Sequence, residues 1–128
     1  FGDVLITLWV RNKTKAIDGR KSNTAIAPNF IHSQDATHLA MVALAAGRAG
    51  IKSFSFIHDS FGVHPSRTEQ FRDIIRDEFV SLYSEDTLAD FRSQMVEQFP
   101  EAKIPEVPYE EYGTLDINEC KKSSYMFN

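Results

Sequence analysis

A chain of 128 residues, 42% hydrophobic and 25% charged, has the size of one domain and can bury a core, which excludes compositional disorder. The net charge of −4 excludes a protein that coats nucleic acid by overall basicity, though not a local basic patch. The single cysteine, Cys120, excludes an internal disulfide framework and a cysteine-cluster zinc site, and no apolar run reaches membrane-span length.

Residues Val4 to Val10 ("VLITLWV") are apolar and β-branched, which predicts a buried strand. Next, "RNKTKAIDGRKSN" sets five basic residues against one acid around an Asp18-Gly19 turn signal and reads as a solvated loop. After "TAIAPNF", Ser33 or Asp35 is placed to cap a helix whose face carries Leu39, Val42, Ala43 and Ala46, with Gly47 and Gly50 as its stop.

"IKSFSFI" alternates, putting Phe54 and Phe56 on one face of a strand. His58-Asp59-Ser60 is a tight turn and "FGVH" the return strand. Ser66 and Glu69 carry a capping-box spacing, followed by a helix burying Phe71, Ile74, Ile75, Phe79 and Leu82. A further helix runs from near Asp86 to Phe99, with Leu88, Phe91, Met95 and Phe99 inward, until Pro100 stops it. "PEAKIPEVP" is an extended connector, and the tail ends in aromatics, Tyr125 and Phe127. The expected class is α+β: a small antiparallel sheet packed by three helices. The chain divides into a strand and basic loop (1–25), a helix–hairpin–helix–helix core (26–99), and a connector with tail (100–128).

The chemistry concentrates in the turn. Two-residue hairpin loops prefer Asn-Gly or Asp-Gly, so a tip without glycine gives the side chains weight. A carboxylate there suits a hard cation, which takes oxygen ligands; Asp as a mere turn former is the bland alternative. The four histidines do not have the i, i+4 spacing of paired helix ligands, and His38 and His64 read as surface or core-edge imidazoles. His32, just before the expected helix start, lies where backbone N–H groups favour anions.

"APNFIHSQDATHLA" (Ala27 to Ala40), "FIHDSFGVHP" (Phe56 to Pro65), "FVSLYSEDTLADF" and the ending "KKSSYMFN" together resemble the C-terminal palm segment of bacteriophage-type single-subunit DNA-dependent RNA polymerases, with their mitochondrial relatives. The resemblance spans Ile26 to Asn128 well and the first twenty-five residues weakly. It implies that Asp59 is the palm carboxylate binding two catalytic Mg2+ ions, and that His32 and the adjacent His58 lie against nucleic acid, His32 in the minor groove at the growing RNA end. Phe127 and Asn128 would belong to a C-terminal foot returning toward the palm. Gly62 fits the phage pattern, whereas Met126 and Asn128 depart from the common phage ending. The implied partners are template DNA, nascent RNA, ribonucleoside triphosphates and the rest of the polymerase chain, with no membrane, in the cytoplasm of an infected host if the origin is a phage. Phe1, which is not methionine, and the missing partner carboxylate and fingers helix make the chain a fragment expected to be inactive alone.

Three other readings compete. Repair-type (family A) DNA polymerases use a similar hairpin, but there Glu usually follows His-Asp. A metal-dependent phosphohydrolase with a His…His-Asp…Asp signature could use His32, His58, Asp59 and Asp90, with His-Asp on a helix. A non-catalytic interaction module would suit the connector and tail.

Overall fold

The computed structural model describes residues 7, 10, 16–57, 59–109 and 113–126. Its elements are α1 (Gly19–Arg48), β1 (Phe54–Ile57), β2 (Ser60–Val63), a 3-10 turn (Pro65–Arg67), α2 (Thr68–Tyr83), α3 (Thr87–Gln98) and a tail 3-10 turn (Ile117–Lys122). The architecture is α+β, as expected. The strand expected over Val4 to Val10 falls largely outside the described residues. The chain forms two units, residues 1–33 and 34–128.

Within the first unit, the stretch read as a loop is helical from Gly19 onward. Asp18 is its cap: Oδ1 accepts from the Lys21 N–H at 3.1 Å, and the Asp18 carbonyl accepts from the Ser22 N–H at 3.0 Å. The helix continues through Pro28, although proline removes one backbone donor. Neither Ser33 nor Asp35 caps a helix. Ser33 instead donates its hydroxyl back to the Phe30 carbonyl at 2.6 Å.

The second unit holds the core. Val42 and Ala46 on α1 pack with Ile51, Phe71 and Ile75, and Phe56, Phe61, Val63 and Ile74 close around them. The expected glycine stop forms through Gly50. With φ at 78°, Gly50 lets its own N–H reach the Gly47 carbonyl and the Ile51 N–H reach the Ala46 carbonyl. Ile51 thereby enters the core beside Ala46, so the turn that ends α1 also seeds the packing.

The strands pair antiparallel in the register Phe54↔Val63, Ser55↔Gly62, Phe56↔Phe61 and Ile57↔Ser60. Phe54 and Phe56 share a face, with centroids 5.0 Å apart. Phe56 meets its cross-strand partner Phe61 edge-on at 5.4 Å, and Phe71 of α2 stacks under the pair from Phe56 at 6.5 Å. A two-stranded hairpin is marginal alone, and these rings give it a floor.

Two expectations on the helices are corrected. The Ser66/Glu69 capping box does not form, because α2 begins at Thr68; His64 caps the preceding 3-10 turn, its Nδ1 accepting from the Ser66 N–H at 3.4 Å. On α3, Asp86 is the cap, its Oδ1 accepting from Ala89 at 2.9 Å. Phe91 and Met95 are half-buried, but Leu88 and Phe99 are exposed, so only the middle of that face packs. Arg92 fastens the connector, donating to the Pro105 carbonyl at 2.7 Å and pairing with Glu106 at 2.9 Å. The tail turn packs on α2, where Lys121 meets Asp77 at 2.9 Å. Asp116 caps that turn by accepting from the Asn118 backbone N–H and side-chain amide, which holds its carboxyl below the usual range.

Candidate active site

Ile57 pairs with Ser60, and Asp59 stands just before the return strand. Asp59 is exposed there, and no ion pair involves it among the described residues. Its position is fixed from below: Ser60 is already in the ladder, and Phe61 is wedged among Phe56, Phe71 and His38. The carboxylate thus combines a rigid base with free oxygen atoms, the combination a hard cation requires. His58, Phe127 and Asn128 lie outside the described residues.

Asp59 opens a cleft of about 560 Å3. Phe61, Phe71 and Ile75 form its apolar floor, Arg72 stands on its α2 wall, and Ser124 of the tail borders it. Sequence reading missed Arg72 and Ser124. They come from a helix and a tail distant in the chain, and no local motif marks them.

Gly62 faces Ser55 across the ladder, and a β-carbon there would lie 2.5 Å from the Ser55 hydroxyl. Glycine lets the strands close without moving that side chain.

The remaining histidines separate by environment. His38 is 7% exposed, so it is a core residue rather than a surface one. Its Nε2 donates to the Ile75 carbonyl at 2.9 Å, which fixes the tautomer because a carbonyl only accepts. Edge contacts to Phe61 at 5.8 Å and Phe79 at 5.6 Å complete its packing. His32 lies inside α1, exposed, and not at a helix start. Backbone N–H groups in a helix interior are engaged with carbonyls four residues back, so the helix-terminus argument for an anion at His32 fails. Tyr125 is 82% exposed. Its N–H donates to the Ser123 hydroxyl at 3.3 Å.

No group of three or more His, Cys, Asp or Glu side chains able to hold a metal occurs among the described residues. Asp59 lies in a turn before β2 and not on the helix that the phosphohydrolase reading needs. No helix among the described residues is long and apolar enough to cross a membrane.

Comparisons with known proteins place the chain in a family. A family model described as DNA-dependent RNA polymerase matches residues 4–110, and the chain belongs to that family. It is 37% identical over 124 residues to the mitochondrial DNA-directed RNA polymerase 1 of Arabidopsis thaliana, covering 97% of this chain and 12% of that protein. It is 40% identical over 118 residues to the DNA-directed RNA polymerase of Enterobacteria phage T3, covering 90% of this chain and 13% of the phage protein. With DNA-directed RNA polymerase 1A of Nicotiana tabacum the identity is 35% over 121 residues, 94% of this chain and 76% of the relative. The chain therefore spans about an eighth of the Arabidopsis and phage proteins. The match from residue 4 extends the likeness further upstream than the motifs alone suggested.

Proposed function

We propose that this chain is the C-terminal palm segment of a DNA-directed RNA polymerase and carries one carboxylate of its nucleotidyl-transfer centre, Asp59. The observation that carries this reading is Asp59, exposed beside an aromatic-floored strand pair and in no ion pair among the described residues, inside the sequence "HDSFG". The partners are template DNA, the growing RNA and ribonucleoside triphosphates. His32 and His58 are assigned to nucleic acid, and Phe127 and Asn128 to the foot. Ser60, where repair-type DNA polymerases usually carry Glu, supports the RNA polymerase branch.

Asp59 fits Mg2+ by donor type, being an exposed carboxylate that enters no ion pair among the described residues. Two Mg2+ ions, when bound, activate the 3′-hydroxyl and stabilise charge on the transferring phosphate. The hairpin's part is positional: it holds the carboxylate oxygens in one place, so the barrier includes no cost for ordering them. The aromatic floor excludes water from one side of the site. One carboxylate does not complete a two-metal centre, so the second comes from the polymerase outside the described residues, and the isolated chain does not extend primers.

Asp59→Asn in the intact polymerase tests the assignment, because the amide keeps the size and the turn but loses the charge. Nucleotide addition on a primed template falls by roughly three or more orders of magnitude, as removal of a metal ligand entails, while template binding persists. A rate within tenfold of the parent would remove Asp59 from the centre.

A further inference from the structure

Resting on that reading, we infer that Arg72 holds a backbone phosphate of the nucleic-acid strand whose end is presented to Asp59. Arg72 and Asp59 border the same cleft, across the floor of Phe61, Phe71 and Ile75. A volume of about 560 Å3 lies within the roughly 300–1,000 Å3 range of ligand sites. A cleft with a carboxylate at one end, a guanidinium on its wall and apolar surface between them suits an alternating chain of sugars and phosphates. The sugars pass over the rings, and a phosphate meets the fork.

The guanidinium is available. Among the described residues it pairs with the neighbouring Asp73, at 3.5 Å, with side chains 44% and 64% exposed. Successive helix residues do not face each other, and an exposed pair at that distance yields readily to a better acceptor. Arg has five donors in a planar fork matched to phosphate oxygens, and this contact occupies one nitrogen.

The surroundings favour an anion on this wall. Arg76 lies one turn beyond Arg72 on the same side of α2. It is 7% exposed, and its Nε and Nη2 have no acceptor among the described residues. The nearby Asp77 is engaged by Lys121 at 2.9 Å. With no ion pair among the described residues, this buried cation adds positive potential to the side of α2 that carries Arg72.

The test uses the intact polymerase on a fluorescent primed template, with binding measured across a series of NaCl concentrations. Arg72→Gln weakens binding about tenfold and lowers the slope of log affinity against log salt by about one, as loss of one phosphate contact requires. Arg72→Lys keeps the slope and part of the affinity, because a point charge replaces the fork. Asp73→Asn leaves binding unchanged or tighter. Unaltered affinity and slope in Arg72→Gln would overturn the inference. So would a raised nucleotide KM with strand binding intact, which assigns Arg72 to the triphosphate. Equal losses in Arg72→Gln and Asp73→Asn, as from a surface ion pair, would overturn it too. Asp59→Asn in the same assays separates the two claims: lost catalysis with an unaltered Arg72→Gln sinks only this inference, whereas active Asp59→Asn sinks the reading beneath it.

Discussion

Asp59 and His38 are two polar side chains served by one aromatic cluster, and they are treated in opposite ways. His38 is buried, its Nε2–H spent on the Ile75 carbonyl at 2.9 Å and its ring edged against Phe61. Asp59, two residues before Phe61, is exposed, and no ion pair of the described residues engages it. The contrast separates two uses of polarity. A polar group with its partner satisfied contributes to the fold, whereas one held rigidly with its oxygens unspent is available to a ligand.

The strongest way to break the contrast is to remove what both share. Phe71 is 2% exposed and touches Phe54, Phe56 and Phe61. Phe71→Ala is expected to cost about 3–5 kcal/mol, read as a shift of the urea midpoint, because a large cavity opens under the hairpin. Retention of full stability would show that the rings are not the hairpin's floor.

His38→Leu sharpens the contrast from the structural side. It removes one buried hydrogen bond and the ring edges but keeps the volume, and the Ile75 carbonyl retains its helical partner. The expected loss is about 1–2 kcal/mol in the same assay. A gain in stability would make His38 a residue kept for something other than packing.

Gly62→Ala is the smallest perturbation. Its β-carbon meets only the end of the Ser55 side chain, at 2.5 Å, and a hydroxyl can rotate away. The change in stability stays within about 1 kcal/mol, since alanine's lower backbone entropy offsets the contact. A larger loss would mean the hairpin cannot spread at this pair.

The same contrast explains what was legible in the sequence. The alternation of Phe54 and Phe56 and the helical spacing of Phe71, Ile75 and Leu82 identify elements whose partners are close in the chain, and the structure contains them. Asp59 drew attention by breaking the hairpin-tip preference inside a long motif, and the structure shows it exposed just before the return strand, which leaves its role a proposal. The first half of α1 was not: Gly19 and Pro28 both signal breaks, yet Asp18 caps and the helix continues. For His38 the sequence left surface and core edge open, because imidazole burial depends on a carbonyl 37 residues away, which no local pattern announces. Arg72 and Ser124 escaped for the same reason, since the cleft is assembled from segments far apart in sequence.

The most direct measurement follows single-turnover nucleotide addition and thermal melting for Asp59→Asn and His38→Leu side by side in the intact polymerase. The account predicts a crossed result. Asp59→Asn loses roughly three or more orders of magnitude in rate with its melting temperature unchanged, whereas His38→Leu melts earlier and retains its rate below the transition. Asp59→Asn that melts early yet adds nucleotides within tenfold of the parent rate would contradict it.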